Sequence, residues 1–200
     1  MNRKEISTKD FLLTLLYSPG KYEAVNEPIT GRTKLTKMVF LFEKELQKTF
    51  FTDDISVKLP DFEPYNFGPF SKELFDDLSF FLSIGLIFAE ETLIPISSAE
   101  ENEIEIGFDD DWVNASFDES EHEEVEMKYS LSPRGVQYVK DSVWSEYSDS
   151  QKSKLKKFKA QINTISLDTL LRYVYNKYPE FAKNSLISKK YLESETIENA

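Results

Sequence analysis

Cysteine is absent from the 200 residues, and histidine occurs once. The first absence excludes a disulfide framework, a thiolate nucleophile and a cysteine zinc site, and it agrees with a reducing compartment. The second leaves His122, set among Glu121, Glu123 and Glu124, as the sole imidazole. Without a second nitrogen ligand at helical or hairpin spacing it makes a poor metal centre, and sequence supports no Ser-His-Asp arrangement around it. Six glycines provide no phosphate-cradling motif. The expectation is a chain with no catalytic residues, no metal and no cofactor, and not an enzyme. Long apolar runs are missing too: the stretch Phe80 to Ala89 is about half of what a bilayer span requires. The opening MNRKEISTKDF is too polar for a signal peptide, so a soluble cytoplasmic chain is expected.

Basic residues are lacking in one place only. The formal charge is -12, yet residues 100 to 126 hold 13 acidic side chains and no Lys or Arg. Removing those 13 from the 36 acids leaves 23 against 24 basic residues, so the body is nearly neutral. The acidity is therefore a local feature, and the overall charge says little about nucleic acid. Within the tract, Asp109-Asp110-Asp111 lacks the spaced ligands and the glycine of an EF-hand loop, and solvated charge is the better reading. Ile104, Ile106, Phe108, Trp112, Val113 and Phe117 interrupt the acids, so part of the tract is expected to fold onto the body or onto a partner. It has three possible uses: mimicry of DNA charge, steering of a basic partner, or plain solvation.

The best-marked element runs from Asn66 to Ala89. Gly68-Pro69 is a turn signal, Ser71 stands as an N-cap, and Leu74, Phe75, Leu78 and Leu82 form an apolar stripe with Phe81 at its margin. Lys72, Glu73, Asp76 and Asp77 are expected to face water. Gly85 ends the helix, and Leu86-Ile87-Phe88 opens a strand. Before it, Ser7 or Thr8 caps a helix with the stripe Phe11, Leu12, Leu15 and Leu16. A second helix follows with Leu35, Met38, Val39, Phe42 and Leu46 inward, and Arg32, Lys34 and Lys37 in a solvated first turn. Thr52-Asp53-Asp54 is a turn, and Phe62 to Tyr65 a short extended piece.

After it, Leu86 to Ile96 and Lys128 to Ser132 pair as a hairpin whose tip is the acidic tract. Ser132-Pro133 then starts a helix carrying Val136, Val139, Val143 and Tyr147. Beyond Asp149 comes a basic amphipathic helix with Leu155, Phe158 and Ile162 on one side and Lys152, Lys154, Lys156, Lys157 and Lys159 around the rest. Ser166 caps the next, with Leu167, Leu170, Leu171 and Val174 inward, Tyr173, Tyr175 and Tyr178 as aromatic bulk, and Pro179 as its stop. The expected fold is α+β and mainly helical: a winged-helix-like core over 1–148 with an acidic insertion at 97–127, a helical extension over 149–187 packed on it, and a flexible tail over 188–200.

Three phrases converge on a resemblance: GRTKLTKMVFLFEKE, then FEPYNFGPFSKELFDDLSFFLSIGLI, then KYSLSPRGVQYV. In this order they resemble the SocA-like antitoxin family, or Panacea domain, and the related YwgA-like proteins, to which LLRYVYNKYPEFAKNSLI is also similar. The resemblance implies a protein that acts by binding a partner, as an antitoxin neutralises a toxin or an adaptor delivers one to a protease, and it implies no enzymatic activity. The expected contact surface is Phe67, Gly68, Pro69, Phe70 and Ser71 together with Asp109, Asp110, Asp111 and Trp112, facing a partner with a basic surface. Gly68, Pro69 and Ser71 have a second use in building the turn and cap. Homo-oligomer formation stays open.

The alternative is a transcriptional regulator or phage-defence component touching DNA through Lys152, Lys154, Lys156, Lys157 and Lys159. The helix after Ser71 is a poor DNA reader, because it presents one lysine and three acids to phosphate.

Overall fold

Serine caps define where the helices begin. In the computed structural model, which describes residues 4–50, 55–94 and 124–192, each such serine accepts a backbone N–H from three residues on. Ser7 opens α1 (Thr8–Tyr17), Ser71 opens α4 (Lys72–Ser83), Ser132 opens α5 (Pro133–Tyr138), Ser148 opens α6 (Asp149–Thr164) and Ser166 opens α7 (Leu167–Lys177). Each hydroxyl satisfies an amide that the helix leaves without an internal acceptor. At Ser148 the arrangement is reciprocal, since Gln151 reaches back to the Ser148 backbone. An exception is α2 (Arg32–Leu41), which Gly31 leads into at φ +84° without a side-chain cap.

α1 is buried on every side, from Phe11 to Tyr17 without interruption, so the single stripe expected of it understates its position. An all-round apolar helix belongs in the middle of a core. α2 runs on as a π-helical turn (Phe42–Leu46) and a last α turn, α3 (Gln47–Phe50). Phe42 is fully buried, with ring contacts to Phe11 at 4.4 Å, Phe50 at 4.9 Å and Phe158 at 5.8 Å. The same apolar cluster takes in Tyr129, Leu155, Leu171 and Val174, so the C-terminal helices share one core with the first two.

The strands are short and the sheets small. β1 (Lys4–Ile6) pairs in parallel with β3 (Ile55–Val57), and β4 (Glu63–Tyr65) pairs antiparallel with β5 (Gly68–Phe70). The third sheet has the order β2-β7-β6, built from β2 (Ile29–Thr30), β6 (Ile87–Ile94) and β7 (Glu124–Leu131). β6 and β7 form the expected hairpin, in register from Ile87↔Leu131 to Ile94↔Glu124. The returning strand starts at Glu124, earlier than the expected Lys128, and takes the last acids of the tract into the ladder. The architecture is α+β, dominated by helix. Among the described residues no helix is long and apolar enough to cross a membrane.

Several local expectations need correction. Asp77 is buried and not turned to water: the inward stripe of α4 is Leu74, Asp77, Leu78 and Phe81, rotated so that Phe75 and Leu82 become its margins. Lys37 and Lys159 are buried too, because backbone carbonyls from distant segments receive their ammonium groups. Pro179 ends α7 but also starts the short α8 (Pro179–Ala182). The region beyond Ser188 opens with α9 (Ser188–Leu192), whose Tyr191 is fully buried against Tyr175 at 5.7 Å, where a frayed tail was expected. Thr52-Asp53-Asp54 and most of the acidic tract lie outside the described residues.

Candidate functional site

The hairpin β4-β5 and α4 after it form the element on which the expected contact residues fall. Gly68 is buried, sits at φ +86°, and packs so closely on α7 that a Cβ there would lie 2.7 Å from the Tyr175 ring. Its carbonyl neighbours are fully engaged. Lys37 of α2 donates to Phe67 O and to Pro69 O, the latter at 3.2 Å. Leu186 N donates to Asn66 O at 2.8 Å, and Asn184 Nδ2 to Pro64 O at 3.2 Å. Gly68, Pro69 and Ser71 are buried in this brace, and they present little surface to a partner. Phe67 and Phe70 are half-buried. The Phe70 ring lies 5.0 Å from Tyr65 and 4.9 Å from Phe75, over which Arg32 is placed at 5.3 Å. Asp109, Asp110, Asp111, Trp112 and His122 lie outside the described residues.

The outward side of α4 differs in kind from the brace. Lys72 bridges Asp76 at 2.9 Å one turn on, and Glu73 stands beside them in solvent. Further along, Phe80 and Ile84 are 47% and 41% exposed, one turn apart on the same face. Phe88, 46% exposed, follows on β6. The helix thus shows water a carboxylate-bearing first half, and beyond it Phe80 and the C-cap residue Ile84 among the exposed Ser79 and Ser83.

A cleft of about 540 Å³ opens between the start of α1, Lys58 and the first two turns of α4. Lys9 and Lys58 line one wall, and Lys72, Glu73, Asp76 and Asp77 of α4 line the other. Asp77 is the buried member. Its Oδ1 is 3.5 Å from Lys9 Nζ, long for a hydrogen bond, and its Oδ2 has no hydrogen-bond partner among the described residues. Burial raises the pKa of the carboxyl, and the Lys9 charge offsets that only in part. Lys9 itself lies 5.2 Å above the Phe80 ring, so one exposed lysine spans the cleft and the exposed Phe80 of α4.

The lysine-rich helix α6 is largely occupied within the chain. Lys152 stands 3.9 Å from Asp149 and over the Trp144 ring, Lys154 donates to Thr49 O at 2.6 Å, and Lys156 pairs with Glu23 at 2.9 Å. Lys157 is exposed. Lys159 is fully buried and donates to Leu16 O at 2.8 Å and Ser18 O at 2.7 Å, closing the C-terminal end of α1. Burial lowers it to about 7, against the pull of Glu27. Glu27 accepts from Lys21 N, Tyr22 N and Asn163 Nδ2. Burial would raise that carboxyl, but these bonds and the Lys159 charge bring it below the usual range. Sequence reasoning missed Lys37, Asp77 and Lys159 as interior groups. The available signal was a charged residue sitting within an apolar stripe, as Lys37 does beside Met38.

Among the described residues no cluster of His, Cys, Asp or Glu is arranged to hold a metal ion. No protein-family model matches the chain, and no curated protein matches it.

Proposed function

We propose that this chain is a protein-binding module of the SocA-like and YwgA-like kind, a neutraliser or adaptor whose action is to bind a partner protein with a basic surface. The core is proposed to be winged-helix-like, on the order α1, α2, α4, hairpin β6-β7, α5, with α4 in the place of the recognition helix. The observation that carries the reading is the exposed face of α4. Phe80 and Ile84 stand in solvent beside Glu73 and Asp76. A phosphate backbone rewards Lys and Arg and is repelled by such a face, whereas a protein surface with an apolar centre and a basic rim complements it. The expected contact surface moves accordingly, from the braced turn at 66–71 to the helix that the turn launches, with Phe70 at its edge. The DNA-binding alternative is weakened by α6, whose Lys159 is interior and whose Lys154 and Lys156 have partners in the chain.

The test is affinity capture from nuclease-treated native lysate with the intact chain and with the double variant Phe80→Ser, Ile84→Ser, retained proteins being identified by mass spectrometry. A stoichiometric basic partner lost with the double variant supports the proposal. Equal retention by both chains, or no partner with either, contradicts it.

A further inference from the structure

The cleft at the start of α4 holds an ionisable group that the fold itself does not use. Asp77 is on the inward stripe of α4 with its side chain 8% exposed, and a hydrophobic residue there would give up only the 3.5 Å pair with Lys9. A carboxylate with two oxygens accepts several hydrogen bonds. This one has a single long contact, from a lysine that is itself half in solvent. A buried carboxylate without partners is costly, and such a group lining an open cleft is accounted for by a donor that arrives from outside.

The shape of that donor follows from the walls. Glu73 and Asp76 stand at the mouth from one side of α4, Asp76 with both oxygens bonded to Lys72, and the Lys58 backbone is fixed opposite by bonds to Ile6 and to the Thr8 hydroxyl. A planar group with two parallel N–H donors satisfies both oxygens of Asp77 at once, which an ammonium does not. We propose that the cleft is a socket for one guanidinium group, an arginine side chain of the protein partner, held by Asp77 with Glu73 at the rim, and that Lys9 occupies its place when the partner is absent. The aliphatic stem of such an arginine would leave the cleft beside Phe80, over which Lys9 now lies. This rests on the protein-binding reading of α4 and specifies what the partner inserts there.

The test is a ¹H–¹⁵N NMR titration of the full chain with N-acetyl-arginine amide, and with the neutral isostere N-acetyl-citrulline amide as control. Saturable shifts at Lys9, Asp76 and Asp77 with about millimolar affinity are expected for arginine only. Asp77→Asn should weaken binding about tenfold or more. Lys9→Met should strengthen it up to about fivefold, by removing the competing ammonium. Equal shifts with citrulline, unchanged affinity in Asp77→Asn, or weaker binding in Lys9→Met would overturn the socket. The two ideas fail separately. Arginine binding at Asp77 with partner capture indifferent to Phe80 and Ile84 keeps the socket and removes the α4 reading, whereas capture that depends on Phe80 and Ile84 without arginine binding does the reverse.

Discussion

Replacing Lys159 by Met tests whether the buried lysine holds the end of α1 as a hydrogen-bond donor. Methionine fills nearly the same stem volume, so the cavity contribution is small. The loss is at the tip: Leu16 O and Ser18 O, which receive the ammonium at 2.8 Å and 2.7 Å, are left without that donor in the interior. Each such orphan costs about 1–3 kcal/mol, so a net destabilisation of about 2–4 kcal/mol is expected after relief of the desolvated amine. The dependence on pH is sharper. With the folded group at about 7 and the unfolded one at 10.5, the unfolded chain binds a proton in that window that the folded chain does not. Native stability therefore rises with pH from about 7 towards 10.5, by up to about 1.4 kcal/mol per unit, because a neutral amine still has the two N–H groups that two carbonyls need.

The variant lacks this contribution, so urea denaturation followed by tryptophan fluorescence should show the gap between the chains widening by about 1.5 kcal/mol from pH 7 to pH 8.5. A gap under about 0.5 kcal/mol, or one that narrows as pH rises, would refute the reasoning. The exposed neighbour Lys157 serves as control, with Lys157→Met expected within about 0.5 kcal/mol of the wild type.

Other outcomes follow from the same structure. Gly68→Ala combines a left-handed backbone with a Cβ driven against the Tyr175 ring, and should cost about 2–4 kcal/mol in urea denaturation, whereas Gly85→Ala, with open space around it, should cost about 1 kcal/mol. Asp77→Asn should raise the melting temperature at pH 7: a carboxyl whose pKa is raised on folding stabilises the native chain below its unfolded pKa, and that contribution is lost as pH rises through the folded value, so the gain should close below about pH 4. Replacing Lys154, Lys156 and Lys157 by Gln should leave partner capture unchanged, and the intact chain should show no steeply salt-dependent binding to a duplex in fluorescence anisotropy.

What could be foreseen from sequence was what neighbouring residues decide. Ser71, Ser132 and Ser166 cap helices because the amides that donate to them are three residues away, and the hairpin Ile87–Ile94 with Glu124–Leu131 follows from the apolar run Leu86-Ile87-Phe88 and the segment Lys128 to Ser132 on either side of a polar insertion. Residues whose environment is set by remote segments were misjudged. Lys37 meets carbonyls 30 and 32 positions on, Lys159 meets carbonyls 143 and 141 positions back, and Tyr191 closes onto Tyr175, so a local pattern such as the apolar stripe around Lys37 does not name the partners that hold them inside. The same blindness applied to the contact surface. The Gly-Pro turn drew attention through its punctuation, yet its carbonyls and its glycine are consumed by Lys37 and Tyr175, while Phe80 and Ile84 look in sequence like part of an apolar stripe.

Hydrogen–deuterium exchange of the chain, alone and in complex with the protein it captures, tests the central claim most directly. The account predicts protection concentrated on 72–88 and around Lys9, with α6 unaffected. Protection confined to 149–164, or exchange in 72–88 identical in the free and bound chain, would contradict it.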